Sequence, residues 1–88
     1  MKKIVSVIKP FIINQNVFVY EDGNKVDAIS VPLNDIQIIL VDTATKYEAT
    51  EIELIGPKKY LKGIVNKIEE TEINKYNTNK LNIKIISG

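Results

Sequence analysis

Leu33-Asn34-Asp35-Ile36-Gln37-Ile38-Ile39-Leu40-Val41 is the stretch on which the fold turns, because it can be read in two ways. As a strand, Ile36 to Val41 is rich in β-branched residues and partly alternates, which suits a pleated surface. As a helix, Asn34 is placed as the N-cap and Gln37 as the N3 partner of a capping box. Leu33 and Ile38 then have the spacing of a hydrophobic staple. Ile36, Ile39, Leu40, Ala44 and Tyr47 fall on one helical face. Local propensity favours the strand, whereas the caps and the longer-range period favour a helix over 34–47. The helix is the expectation carried forward.

Upstream, the sequence reads as strands. Lys3 to Lys9 is short and β-branched, and Pro10 ends it or marks an edge or bulge. Phe11-Ile12-Ile13 extends this run before Asn14-Gln15-Asn16 turns the chain. Val17 to Tyr20 is a second run and Lys25 to Val31 a third. The Asp22-Gly23 pair between them is a strong hairpin signal, and Pro32 stops the third strand. Downstream, Glu51-Ile52-Glu53-Leu54-Ile55 alternates cleanly as a strand with one polar face. Gly56-Pro57 opens a second helix with proline at N1. Its apolar stripe, Leu61, Ile64, Val65 and Ile68, predicts an end near Glu70 or Thr71. Ile73 to Asn79 is a polar connection or a frayed extension of that helix, and Leu81 to Ile86 is a final alternating strand.

The order strand, strand, strand, helix, strand, helix, strand implies a mixed five-stranded sheet within one small domain spanning residues 1–88. Glu51, Glu53, Asn82 and Lys84 give the sheet a polar face, so both helices are expected on the other. The fold class is α/β (α+β), a two-layer sandwich. This element order resembles that of ribonuclease H-like domains, without a shared sequence motif. The resemblance would imply a carboxylate within the first strand for holding catalytic metals. That strand offers only Lys3, Ser6 and Lys9, so nuclease chemistry is not expected.

Composition excludes more than it selects. The 88 residues carry a net charge of +1, and all twelve basic residues are lysine. Arginine, histidine, cysteine and tryptophan are absent. Disulfides, Cys/His zinc sites, thiol or Ser-His-Asp nucleophiles and bidentate arginine contacts are therefore excluded. The longest apolar run, Ile38 to Val41, is far too short to span a bilayer. No apolar segment of signal-peptide length follows Lys2-Lys3, so a cytoplasmic protein that does not enter a membrane is expected. Lys, Asn, Ile, Tyr and Phe make up 43 of the 88 residues. These have AT-rich codons, which suits a low-GC genome and an accessory protein of viral or mobile-element origin.

Few residues suggest chemistry. Glu51 and Glu53 share a strand face but lack a third oxygen ligand nearby, and are expected to face lysines such as Lys84 across the sheet. Asp22-Gly23-Asn24 lacks the ligand pattern of a calcium loop. Gly56 is a lone glycine and forms no phosphate-binding loop. No catalytic residue, metal site or cofactor is expected.

Three features point to binding instead. Lys58, Lys59 and Lys62 open the second helix while Glu69, Glu70 and Glu72 close it, an order that opposes the helix dipole. The lysines are a candidate anion or nucleic-acid site. Ile38 and Val41 fall away from the first helix's core face, so they are candidates for a partner interface. One of the pairs Val5/Val7 and Val17/Val19 must face the uncovered side of the sheet. Phe18 and Tyr20 share a strand face, where an aromatic pair can stack bases, but with no arginine and a net charge of +1, core packing under the helices is the simplest use for them. The expected function is a small non-enzymatic protein-interaction domain, acting on a partner or on itself as a homo-oligomer. The alternative is weak nucleic-acid or polyanion binding through the lysines.

Overall fold

The central strand sets both layers of the molecule. In the computed structural model, which describes residues 2–75 and 81–87 (backbone only from 71 to 75), β1 (Lys2–Val7) lies between β2 (Asn14–Glu21) and β4 (Glu51–Gly56). β3 (Asn24–Pro32) flanks β2 and β5 (Asn82–Ser87) flanks β4, giving the order β3-β2-β1-β4-β5. The β1-β2 and β2-β3 pairs are antiparallel, whereas β1-β4 and β4-β5 are parallel. A 3₁₀ turn (Leu33–Asp35) leads into α1 (Ile36–Tyr47), and α2 (Lys58–Lys75) joins β4 to β5. This is the mixed five-stranded sheet with two helices that the sequence predicts.

Strand parity then decides what is buried. Ile4 pairs with Val19 on one side and Ile52 on the other, and Ser6 pairs with Val17 and Leu54. All six are buried beneath the helices, together with Ile36, Leu40, Leu61, Ile64 and Ile68. Val5 and Val7 consequently face the uncovered side. Phe18 and Tyr20 share that side with them, because they alternate with Val17 and Val19. Core packing under the helices, the simplest use expected for this aromatic pair, is thereby overturned. Lys25 Nζ instead lies 5.2 Å from the centre of the Phe18 ring. Buried Ser6 satisfies its hydroxyl by donating to the Asn16 carbonyl at 2.8 Å.

The helical expectation for 34–47 is met, with a different start. Residues 33–35 form the 3₁₀ turn, and Asp35 stands at the N-cap of α1 without a side-chain hydrogen bond. The capping box on Asn34 and Gln37 therefore does not form. At its other end α1 closes in a Schellman motif. Ala49 N–H donates to Ala44 O at 2.8 Å and Glu48 N–H to Thr45 O at 3.2 Å, with Glu48 left-handed at φ 56°. Pro57 precedes α2 as its N-cap, since its carbonyl accepts from Leu61 N–H at 3.0 Å. The helix continues to Lys75, past the packed end near Glu70 or Thr71 that the apolar stripe predicts and into the segment that could extend it. The rest of the polar connection, including Tyr76, lies outside the described residues. Gly56 is fixed by crowding: a Cβ there would sit 2.7 Å from the Ile8 carbonyl oxygen.

Candidate functional site

The two connections in the antiparallel half of the sheet are built differently. Between β2 and β3, Asp22 and Gly23 both take positive φ, at 51° and 85°, as a two-residue type I′ turn requires. Its tip is polar and exposed. Between β1 and β2 the sequence suggests a strand through Phe11-Ile12-Ile13 and a turn at Asn14-Gln15-Asn16. The structure reverses this: residues 8–13 are the connection, and Asn14 begins β2. The cause is a turn at Pro10, closed by Ile12 N–H donating to Lys9 O at 3.0 Å, with proline at its favoured second position.

Gln15 holds that loop. Its side chain is 2% exposed, and its Oε1 accepts from Lys9 N–H at 2.7 Å. Its Nε2 donates to Lys9 O at 2.8 Å and to Ile12 O at 2.7 Å. One buried carboxamide thus supplies backbone hydrogen bonds that strand pairing would otherwise have made. The loop therefore presents Phe11, Ile12 and Ile13, which are 86%, 40% and 80% exposed. A notch of about 220 Å³ lies beside them, lined by Pro10, Pro32, Leu33 and Asn34 as well as by the loop. The open face of the sheet carries apolar side chains of its own. Val7, Ile55 and Ile86 align across β1, β4 and β5, and Val5 lies opposite Phe18. Sequence reading missed this site because a β-branched run next to strands resembles more strand. The available signal was Pro10, together with a glutamine at an inward-facing strand position.

The residues expected to meet a partner fare unequally. Ile38 is 48% exposed on α1. Val41 is 1% exposed and therefore presents nothing to a partner. The reason is that α1 packs against α2 as well as against the strands, so its buried arc is wider than a single apolar stripe. Lys58, Lys59 and Lys62 are exposed on the first turns of α2. Glu51 and Glu53 lie on the open face, where Glu53 pairs with Lys84 across the strands and its carboxylate lies 3.6 Å from Lys3 Nζ. They help to line a depression of about 560 Å³ with Lys2, Tyr20 and Asp22. No group of three or more acidic, His or Cys side chains among the described residues could hold a metal.

Tyr47 donates a hydrogen bond to the Asp27 carboxylate, tying the end of α1 to β3. That bond, reinforced by Ala28 N–H at 2.8 Å, holds the Asp27 carboxyl below its usual value. The same contact raises the Tyr47 phenol. Among the described residues no helix is long and apolar enough to cross a membrane.

Comparison with known proteins agrees with the fold and goes no further. No protein-family profile matches the chain, and no curated protein matches it. Among solved structures, it superposes on a Bacteroides thetaiotaomicron protein described as having an actin-like ATPase fold and unknown function. The TM-score is 0.71 at 16% sequence identity, covering 97% of this chain and 32% of that one. The chain therefore spans about a third of its structural neighbour's length, and the two share a fold.

Proposed function

We propose that this is a protein-interaction domain that works by contact rather than turnover and docks through the Phe11-Ile12-Ile13 loop. The observation that carries the proposal is the pairing of maximal apolar exposure with a buried clamp. Phe11 and Ile13 lie almost wholly in solvent, while Gln15 fixes the backbone behind them with three hydrogen bonds. Contiguous exposed apolar surface of this kind marks interaction sites. An ordered loop also has less entropy to lose on binding than a mobile one. Val7, Ile55 and Ile86 align as a further apolar row on the open face of the sheet. A cytoplasmic setting and a viral or mobile-element source remain part of this proposal.

The test is solution mass by light scattering over a tenfold concentration range, for the natural chain and for Phe11→Ser/Ile13→Ser. Both side chains are exposed, so the double variant should change folding stability by no more than about 0.5 kcal/mol per site. An assembly that the double variant dissolves would place self-association at the loop. If the natural chain is monomeric, a photo-crosslinker at position 11 should capture a discrete partner in cells. The same probe at Val26, an exposed residue at a bulge in β3, should capture none. A monomer that yields no adduct from position 11 would sink the proposal.

A further inference from the structure

Among the described residues the sheet ends on two free edges, β3 and β5, and the chain treats them differently. Along β3 a bulge at Val26 breaks the ladder. The Asp27 carboxylate accepts the Ala28 N–H at 2.8 Å, so an edge donor is already taken. Tyr47 holds that carboxylate in place, and Pro32 ends the strand. Bulges, charges and prolines of this kind keep an edge from pairing. β5 has none of these devices. It pairs regularly with β4 over all six residues, contains no proline, and has Lys84 as its one charged side chain.

Register shows what that edge offers. Asn82 N–H donates to Thr50 O at 3.0 Å, so Asn82, Lys84 and Ile86 turn their backbone groups toward β4. Successive residues alternate, and Ile83, Ile85 and Ser87 therefore turn their N–H and C=O groups outward. Ile83 and Ile85 point their side chains beneath the helices, yet both are only half-buried, whereas Ile52 and Leu54 beside them on β4 are fully buried. The inner layer stops before it covers them. On the open face Lys84 is exposed and enters no ion pair among the described residues, because Glu53 opposite it directs its carboxylate to Lys3 Nζ at 3.6 Å.

We infer that β5 is an acceptor edge, which takes an extended segment of a partner protein with the alternation apolar-acidic-apolar into the sheet as a further strand. β4 supplies the template, since its Ile52-Glu53-Leu54 already lies opposite Ile83-Lys84-Ile85 on the other side. In strand addition the main-chain hydrogen bonds give affinity and the alternate side chains give specificity. The two apolar residues of the segment cover Ile83 and Ile85, and its carboxylate meets Lys84. A second copy of β5 fits less well. Its longest antiparallel registers that keep faces matched set Lys84 against Lys84 or against Ile86, and neither supplies a carboxylate. The edge shares no residue with the Phe11-Ile12-Ile13 loop, so the two proposals can fail independently.

The test is amide solvent exchange, read by NMR on the full chain, with the capped peptide Ser-Thr-Val-Glu-Val-Thr-Ser added to about 1 mM. Exchange at Ile83 and Ile85 should slow at least about twofold, as a Kd of about 1 mM or tighter requires. Exchange at Lys84 and Ile86, whose amides already face β4, should not change. The same peptide N-methylated at its three central residues should give no protection. The natural chain should prefer the glutamate peptide to its lysine counterpart, Ser-Thr-Val-Lys-Val-Thr-Ser, by about two- to fivefold, the scale of one cross-strand charge pair. Lys84→Glu should reverse that preference, which a misfolded variant would not do. The inference is overturned if Ile83 and Ile85 exchange as before, if the N-methylated peptide protects them equally, or if both chains prefer the same peptide. Protection that rises with protein concentration in the absence of peptide would also overturn it, by making a second copy the occupant.

Discussion

The β2-β3 turn and the β1-β2 loop both reverse an antiparallel pair, but they place the information that shapes them differently. The turn is shaped by its own two residues, because Asp22 and Gly23 supply the positive φ values that it requires. The loop is specified from outside by Gln15, whose carboxamide replaces hydrogen bonds that the backbone of residues 9–12 does not make with a strand. The first arrangement yields a polar tip with no evident use. The second frees the tip to carry Phe11 and Ile13, because the loop's shape does not depend on what those side chains do. A surface whose geometry is fixed elsewhere can be chosen for binding.

The most damaging change should therefore lie at the clamp. Gln15→Leu removes three hydrogen bonds and leaves partners at Lys9 and Ile12 unsatisfied, so urea unfolding should show a loss of about 2–4 kcal/mol. A loss below 1 kcal/mol would mean that the loop holds its own shape, and the contrast with the turn would disappear. Gly23→Ala should be milder. Nothing lies within 4 Å of the added methyl, so only the φ of 85° is at stake, worth about 1–2 kcal/mol.

Glu48 sharpens the same point with the opposite sign. It occupies a left-handed position at φ 56° that glycine would fill with less strain. Glu48→Gly is expected to raise stability by about 0.5–1 kcal/mol. The smallest effect belongs to the surface bond between Tyr47 and Asp27. Asp27 titrates below its ordinary value of 3.8 when folded, so its contribution is present above that pH and is lost as pH falls through the depressed value. Tyr47 titrates above 10.0, so its contribution is present below that pH and is lost as pH rises through the raised value. Tyr47→Phe should therefore lower stability slightly at neutral pH, where both contributions are present, and make no difference at the acid and alkaline extremes, which flattens the profile.

What was legible in the sequence followed from local signals. Alternation in Glu51–Ile55 and Leu81–Ile86, the Asp22-Gly23 turn and the helical stripe of α2 each lie within a dozen residues, and together they define the sheet and both helices. The exposed apolar loop was not legible, nor was the burial of Val41, for two physical reasons. Phe11-Ile12-Ile13 has the composition of a strand, and it is the turn at Pro10, together with a hydrogen-bonding side chain two residues beyond the run, that makes it a loop. Val41 looked unpartnered because a single wheel shows one buried face, whereas α1 is packed by the sheet and by α2 together. Parity was available to separate Val5 and Val7 from Val17 and Val19, but which pair lay inward depended on where the helices packed.

The most direct test is the backbone order of Phe11, Ile12 and Ile13, from ¹⁵N relaxation of the natural chain and of Gln15→Leu. A clamped loop predicts order parameters near those of rigid backbone, about 0.85, in the natural chain, with a fall toward 0.6 or below once the carboxamide is removed. Values already below about 0.6 in the natural chain would contradict the account, because Gln15 would then not be holding the loop.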